Sequence, residues 1–195
     1  AGGIPIIKAL REGLAANQIL KVQGILNGTC NYILSSMHES PVSFEKALTT
    51  AQKLGFAEAD PTFDIEGLDT AHKLTILTSL AFGVPLTFEP KLVSVTATDI
   101  AIVKKLGFVI KLLAQTELKA QCIYCRVAPT LLAQSSLLAQ VSGAMNAVEV
   151  DSNAVGKTFY YGAGAGGDAT ASAVLADVID SLRGHRSQFV SGPSK

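Results

Sequence analysis

The sequence predicts an α+β domain with a mostly antiparallel, mixed sheet and with helices packed chiefly on one face. Apolar residues recur at helical spacing along the first half of the 195-residue chain, whereas β-branched and aromatic stretches dominate the second half. A doubly wound parallel sheet would instead need strands and helices that alternate. The length fits a single hydrophobic core, so we expect one domain over residues 1–186 and a flexible polar tail at 187–195.

Helices with clear start and stop signals occupy most of the first half. Ser43 is a favoured N-cap, and Gly55 and Gly83 are placed to end two helices. One buried strand interrupts this helical region. The predicted elements are a helix that opens at Pro5, a strand from Leu20 to Leu26, a turn at Asn27-Gly28 followed by a short helix capped by Thr29, a helix from Ser43 to Gly55, and a long helix from Asp69 to Gly83.

The second half is predicted to consist mainly of strands, because its apolar stretches are short and rich in β-branched and aromatic residues. The predicted elements are a helix near Asp99 to Leu106, strands at Val109–Ala114, Gln121–Val127, Ala147–Asp151 and Thr158–Tyr161, and a last helix from about Ala169 to Leu182 after a glycine-rich loop at Gly162–Gly167.

Composition and charge exclude several classes of protein. Apolar residues make up 48% of the chain and charged residues 16%, the opposite of an intrinsically disordered protein. The formal net charge is zero, so no basic field attracts nucleic acid or anionic lipid. The most apolar stretch, residues 74–88, is too short and too often interrupted to span a membrane. We expect an intracellular, cytoplasmic protein, with an organellar location left open because a leader could precede residue 1.

Neither a metal site nor a disulfide framework is predicted. The chain has three cysteines, and the Cys122–Cys125 pair lies in an alternating, strand-like stretch that keeps the two sulfurs apart. The mean hydropathy of +0.35 is high for a domain of this size. We therefore expect a partner subunit or a further domain to cover part of the apolar surface.

The most informative segment is an acidic loop that leads into the long helix. Four carboxylates fall within residues 58–66, and Asp69 and Lys73 follow at a spacing that places them on one helix face. A lysine held by a carboxylate can exchange a proton with a substrate oxygen, and the other carboxylates suit an ammonium group. The same pattern also fits a solvated surface ion pair worth about 0.3–0.5 kcal/mol.

The glycine-rich loop at 162–167 has three interpretations. Its spacing satisfies a dinucleotide-binding fingerprint, but too little chain follows Gly167 to complete the βαβ unit that the fingerprint requires. It also fits a tight strand-to-helix connection. As a third possibility, its glycines allow the backbone to approach a cofactor ring that another domain binds.

The acidic segment resembles that of the homoserine dehydrogenases. The resemblance extends to residues 3–5 and 24–33 upstream and to 99–100, 141–148 and 170–173 downstream, so it covers most of the chain. The matching residues of the central segment are Gly55, Phe56, Glu58, Asp60, Pro61, Asp64, Gly67, Leu68, Asp69, Lys73 and Leu74.

The resemblance implies the reversible reduction of L-aspartate 4-semialdehyde to L-homoserine, a step toward threonine, methionine and isoleucine. Lys73 is implied as the proton donor and acceptor, and Asp69 as the residue that orients it. The implied substrate-binding residues are Glu58, Asp64, Thr29 and Gly28, and the implied cofactor contacts are Gly166 and Gly164.

The resemblance further implies a homodimer and a nicotinamide cofactor, NADP or NAD, bound mainly by an N-terminal Rossmann domain that this chain lacks. We therefore expect the 195 residues alone to be inactive. Two rival interpretations are a non-catalytic amino-acid-binding or dimerisation module and a related semialdehyde or dihydrodipicolinate-type reductase domain.

Overall fold

The fold was analysed in a computed structural model, which describes residues 2–86, 88, 90, 92 and 94–184. The expected tail at 187–195 lies outside these residues. The helices are α1 (Ile6–Lys8, continued by a π-helical turn at Ala9–Gly13), α2 (Gly28–Glu39), α3 (Phe44–Lys53), α4 (Thr62–Ile65), α5 (Leu68–Phe82), α6 (Ala97–Lys105) and α7 (Gly167–Leu182). The strands are β1 (Ile19–Ile25), β2 (Phe108–Lys119), β3 (Cys122–Ala133), β4 (Met145–Ser152) and β5 (Gly156–Ala163).

The five strands form one sheet in the order β3-β2-β1-β4-β5. Every neighbouring pair is antiparallel. The predicted α+β class with an antiparallel sheet is therefore confirmed, and the described strands include no parallel pair. The first strand of the chain, β1, lies at the centre, so the strands of the second half close around an element that precedes most of the helices.

One face of the sheet carries the main core. Val22, Leu112 and Val148 belong to the buried cluster that also contains the apolar faces of α2 and α5. The other face carries a hydrogen-bonded polar row that crosses all five strands, and a smaller apolar cluster beside it. Helices accordingly pack chiefly on one face, as predicted. The polar row consists of Arg126, Gln115, Gln23, Glu149 and Lys157.

The start of α2 differs from the prediction. Thr29 was expected to cap a short helix, but Asn27 is the N-cap, and its side-chain oxygen accepts a hydrogen bond from the Cys30 N–H at 2.8 Å. Because the cap lies two residues earlier, the Thr29 side chain is released from capping and points toward the acidic loop. Among the described residues, no helix has the length and apolar character needed to cross a bilayer.

Candidate active site

A group of polar side chains gathers where the end of β1, the start of α2, helix α4 and the first turns of α5 meet. Asn27 follows β1, and Asp64 lies in α4. Gly67 has a φ of +76°, a left-handed conformation that turns the chain from α4 into α5. One helical turn then places Asp69 and Lys73 on the same face, toward the other members of the group.

Lys73 is held by two oxygens. Its Nζ donates to Asp69 Oδ2 at 2.6 Å and to the Leu26 carbonyl oxygen at 3.1 Å. The lysine and aspartate side chains retain 37% and 21% of their exposure, so the pair faces an accessible space. An ammonium group has three N–H donors, and the third remains for a ligand oxygen.

Asn27 links the two carboxylates of the group. Its Nδ2 donates to Asp64 Oδ1 at 2.7 Å and to Asp69 Oδ2 at 2.9 Å, while its Oδ1 caps α2. Asn27 is not predicted as a site residue from the sequence, because an asparagine before a glycine indicates only a turn. Its side chain is 5% exposed, so the three hydrogen bonds fix the carboxylates from within the protein.

The Thr29 hydroxyl lies against the same carboxylates from the start of α2. It is 2.9 Å from Asp64 Oδ2 and 2.6 Å from the Phe56 carbonyl oxygen, and its single proton can serve one of them at a time. Next to it, burial, aided by the nearby charges of Asp64 and Asp69, raises the pKa of the Cys30 thiol to about 12. Cys30 therefore stays a neutral thiol and is no nucleophile.

Two carboxylates and one ammonium give this group a net charge of −1. An additional cation is therefore favoured beside it, and a desolvated anion is disfavoured. Of the predicted site residues, Thr29, Asp64, Asp69 and Lys73 come together. Glu58 does not join them: its side chain is exposed, and among the described residues no hydrogen bond or ion pair links its carboxylate to the group.

The glycine-rich loop lies beside the start of the chain and above Asn146. Gly2 and Gly3 donate backbone hydrogen bonds to the Gly164 and Ala163 carbonyl oxygens. A Cβ on Gly164 would lie 2.5 Å from Asn146 Oδ1, so a larger residue at this position would displace the Asn146 side chain. Gly166 has a φ of +120°, which residues with a side chain rarely adopt.

Gly28 is also constrained by its neighbours. A Cβ there would lie 2.7 Å from the Ala144 carbonyl oxygen and 3.6 Å from Asn146 Oδ1. Ala144 and the first residues of β4 thus pack against the start of α2, and Asn146 of this strand also packs against the glycine-rich loop. The two predicted groups, substrate residues and cofactor contacts, are neighbours across Asn146.

A largely apolar cavity of about 840 Å³ adjoins this group. Its lining includes Cys30, Phe44 and Ile65 but neither Asp69 nor Lys73. The candidate site is therefore identified by the convergence of charged and hydrogen-bonding groups, and the cavity lies beside it. Within the described residues, no three His, Cys, Asp or Glu side chains could together hold a metal ion.

Comparison with known proteins assigns the chain a family. Residues 5–179 match the family model described as homoserine dehydrogenase. A homoserine dehydrogenase of Neisseria gonorrhoeae is 55% identical over 94% of this chain and 43% of its own length. The chain thus spans less than half of the length of the curated relatives that it matches. These matches do not favour either rival interpretation.

Solved structures show the same similarity in three dimensions. A homoserine dehydrogenase from Thiobacillus denitrificans is 53% identical, has a TM-score of 0.91, and is matched over 95% of this chain and 44% of that one. A mutant hyperthermophilic archaeal homoserine dehydrogenase, solved in complex with NADPH, is 29% identical with a TM-score of 0.76. It is matched over 96% of this chain and 55% of its own.

Proposed function

The chain belongs to the homoserine dehydrogenase family, and from this membership we propose that the intact protein interconverts L-homoserine and L-aspartate 4-semialdehyde. The reaction lies on the route from aspartate to threonine, methionine and isoleucine. We assign the acid–base and substrate-binding groups to this chain, and most of the dinucleotide site to an N-terminal Rossmann domain in the remainder of the protein. The observation that carries the proposal is that Asp69 and the Leu26 carbonyl oxygen both accept hydrogen bonds from Lys73 Nζ.

In this proposal Lys73 is the general acid and base. During reduction its ammonium donates a proton to the aldehyde oxygen, and during oxidation the neutral amine accepts the proton of the homoserine hydroxyl. Asp69 and the Leu26 carbonyl fix two of the three N–H directions, which aims the third at the ligand. Asn27 holds Asp69 in place and so acts through it.

The amino-acid end of the substrate is bound by the carboxylates. Its ammonium group complements the net negative charge of the group and is placed near Asp64 and Glu58, whose exposed side chain can turn toward a ligand. The Thr29 hydroxyl, already within hydrogen-bond distance of Asp64, offers a further polar contact. Gly28 lines the same pocket with backbone alone.

The residues around the glycine-rich loop fit the nicotinamide end of a dinucleotide. Gly164 and Gly166 present backbone without side chains, and in the part of the chain that the structure describes the buried Asn146 Oδ1 has no hydrogen-bond partner. A reduced nicotinamide supplies the hydride when bound. The cofactor is NADP or NAD, and the residues that distinguish the two belong to the dinucleotide-binding domain.

The proposal predicts separable effects of two substitutions in the intact protein. Lys73→Ala removes the proton donor and lowers kcat about 10²–10⁴-fold, with an unchanged thermal unfolding temperature. Glu58→Ala mainly raises the KM for homoserine. Lys53→Ala, on the exposed end of α3, is the matched control and retains both constants. A Lys73→Ala protein with nearly normal turnover would remove Lys73 from the mechanism.

We further propose that the intact protein is a homodimer and that the open face of the sheet forms the interface. Tyr124 and Tyr161 are more than half exposed on this face, beside the polar row. Tyr161→Asp places a charge in the apolar part of the face, and light scattering should then report a monomer. Lys53→Ala, outside this face, keeps the dimer, and a wild-type monomer contradicts the proposal.

A further inference from the structure

Asn146 is a buried polar residue whose side-chain oxygen, Oδ1, has no hydrogen-bond partner among the described residues. It is the second residue of β4 and is 1% exposed. A buried acceptor without a donor destabilises a fold. We therefore expect the donor for such an atom to come from a group outside the chain, such as a ligand.

The Asn146 carboxamide lies between two glycines. A Cβ added to Gly164 would be 2.5 Å from its Oδ1, and one added to Gly28 would be 3.6 Å away. Gly28 begins α2 beside the Lys73 group, and Gly164 belongs to the glycine-rich loop. The unpartnered oxygen is therefore at the junction of the substrate pocket and that loop.

The segment that carries Asn146 is held rigidly. Asn31 Nδ2 donates to the Met145 and Val141 carbonyl oxygens at 3.0 and 3.2 Å. Lys111 Nζ, in turn, donates to Asn31 Oδ1 at 3.0 Å and to the Val141 carbonyl oxygen. These donors are already engaged, and the segment cannot easily shift to offer Oδ1 another one.

The chemistry of the site indicates which kind of group donates a hydrogen bond to Asn146 Oδ1. The substrate's ammonium has the carboxylates of Asp64 and Asp69, which are stronger acceptors than a neutral amide oxygen. A neutral N–H group suits Asn146 better. The nicotinamide ring carries such a group on its carboxamide, and that ring must lie near the reacting carbon, between the substrate and the glycine-rich loop.

On the basis of the proposed function, we propose that Asn146 recognises the nicotinamide ring, with Oδ1 accepting a hydrogen bond from the N–H of the ring carboxamide. This gives the chain a cofactor-recognition residue in addition to the backbone of Gly164 and Gly166.

The test compares two dinucleotides bound to the intact protein without substrate. One is the reduced dinucleotide that binds more tightly, NADH or NADPH, and the other is its 3-acetylpyridine analogue, in which a methyl group replaces the amide nitrogen. Calorimetric titration of the wild-type protein should favour the natural cofactor about five- to tenfold, as one hydrogen bond allows. In Asn146→Leu, which keeps the branched shape, the preference should vanish.

Two further measurements separate recognition from folding. The thermal unfolding temperature of Asn146→Leu without dinucleotide should stay level or rise, because an unpartnered buried acceptor is removed. Asn146→Ala should also lose the preference for the natural cofactor. This preference is a ratio of two affinities measured on the same protein, so an equal loss of affinity for both dinucleotides leaves it unchanged. Gly13→Ala, where a Cβ meets open space, is the control and retains the preference.

The outcomes distinguish this assignment from the function on which it rests. A preference that persists in Asn146→Leu and Asn146→Ala overturns the assignment alone, as does a wild-type protein that binds both dinucleotides equally. A wild-type protein that binds neither dinucleotide overturns the proposed function together with the assignment.

Discussion

Two lysines of this chain show how surroundings determine what one residue type can do. Lys73 is partly exposed and paired with a carboxylate, so it remains available to a ligand. Lys111 is 2% exposed, and its Nζ donates to three neutral groups, the Asn31 amide oxygen, the Ser35 hydroxyl and the Val141 carbonyl. Burial lowers the pKa of Lys111 to about 8, and the charge of Glu39 acts in the opposite direction.

The lowered pKa of Lys111 predicts a pH dependence of stability. The unfolded chain, with the ordinary lysine pKa of 10.5, binds more protons than the folded chain between pH about 8 and 10.5. The free energy of unfolding should therefore rise with pH across this window, and Lys111 should contribute about 3 kcal/mol to the rise. Below pH 8 the contribution of Lys111 should not change with pH. Urea titrations of wild type and Lys111→Met at several pH values isolate the contribution, since other groups titrate equally in both. Parallel pH profiles would contradict it.

Asn27 is predicted to matter through its amide nitrogen. Asn27→Asp keeps an oxygen that caps α2 but replaces the donor to Asp64 and Asp69 with a third carboxylate. Three neighbouring like charges repel one another in the folded protein, so we expect the loss of stability to be larger at neutral pH than at acid pH.

Two measurements on Asn27→Asp check this. Unfolding by urea should show a larger loss of stability at pH 7 than at pH 4.5, and kcat at pH 7 should fall by up to about 10²-fold as Asp69 and Lys73 are displaced. Asp60→Asn is the control, since Asp60 is an exposed carboxylate bonded to Thr62 on the same loop. Equal losses at both pH values would show that repulsion is not the cause.

At the scale of elements, local signals in the sequence predicted local structure. Ser43 caps α3, and Gly55 and Gly83 are left-handed at the helix ends, because caps depend on a few neighbouring residues. The strands β2 and β3 are longer than predicted. The extension of β2 carries polar residues such as Gln115, whose partners Gln23 and Arg126 lie on other strands and are invisible in a local pattern.

The candidate site divides in the same way. The positions of Asp64, Asp69 and Lys73 follow from one continuous motif, and the structure brings them together. The roles of Asn27 and Asn146 depend on groups far along the chain. Asn27 contacts the carboxylates of Asp64 and Asp69, and Asn146 lies against the glycine-rich loop. No spacing rule could have identified either residue.

The start of α5 is predicted to depend on Gly67. Gly55 and Gly67 have the same φ of +76°, so replacement by alanine should cost each protein about 1 kcal/mol of stability. Gly55 ends α3 in open space, whereas a Cβ on Gly67 would lie 2.8 Å from Leu92. Only Gly67→Ala should also lower kcat, because α5 carries Asp69 and Lys73. Denaturant titration and steady-state kinetics test the pair, and equal turnover in both variants would refute the idea.

At the scale of the whole molecule, α7 is largely exposed, even though its Asp180 pairs with Lys8 of α1 and its Ala169 lies beside Gly3. No residue of this 16-residue helix is buried, although the helix is apolar on several sides. Its last apolar residue, Leu182, is 83% exposed. The relatives are more than twice as long as the matched region, so we infer that the remainder of the protein covers this helix. The large exposed residues are Val174, Leu175, Val178, Ile179 and Leu182.

This arrangement predicts that the 195 residues alone will not oxidise homoserine with either NAD or NADP. The acid–base lysine and the substrate carboxylates are present, but proton transfer accounts for only about 10²–10⁴-fold of rate enhancement. Holding the hydride carrier against the substrate is worth far more, and we assign most of that task to the dinucleotide domain. The intact protein, assayed in parallel by absorbance of the reduced dinucleotide, is the positive control, and far-ultraviolet circular dichroism establishes that the isolated chain is folded. Robust turnover by the isolated chain would place the main dinucleotide site within it, and the loop at 162–167 would then be its leading candidate.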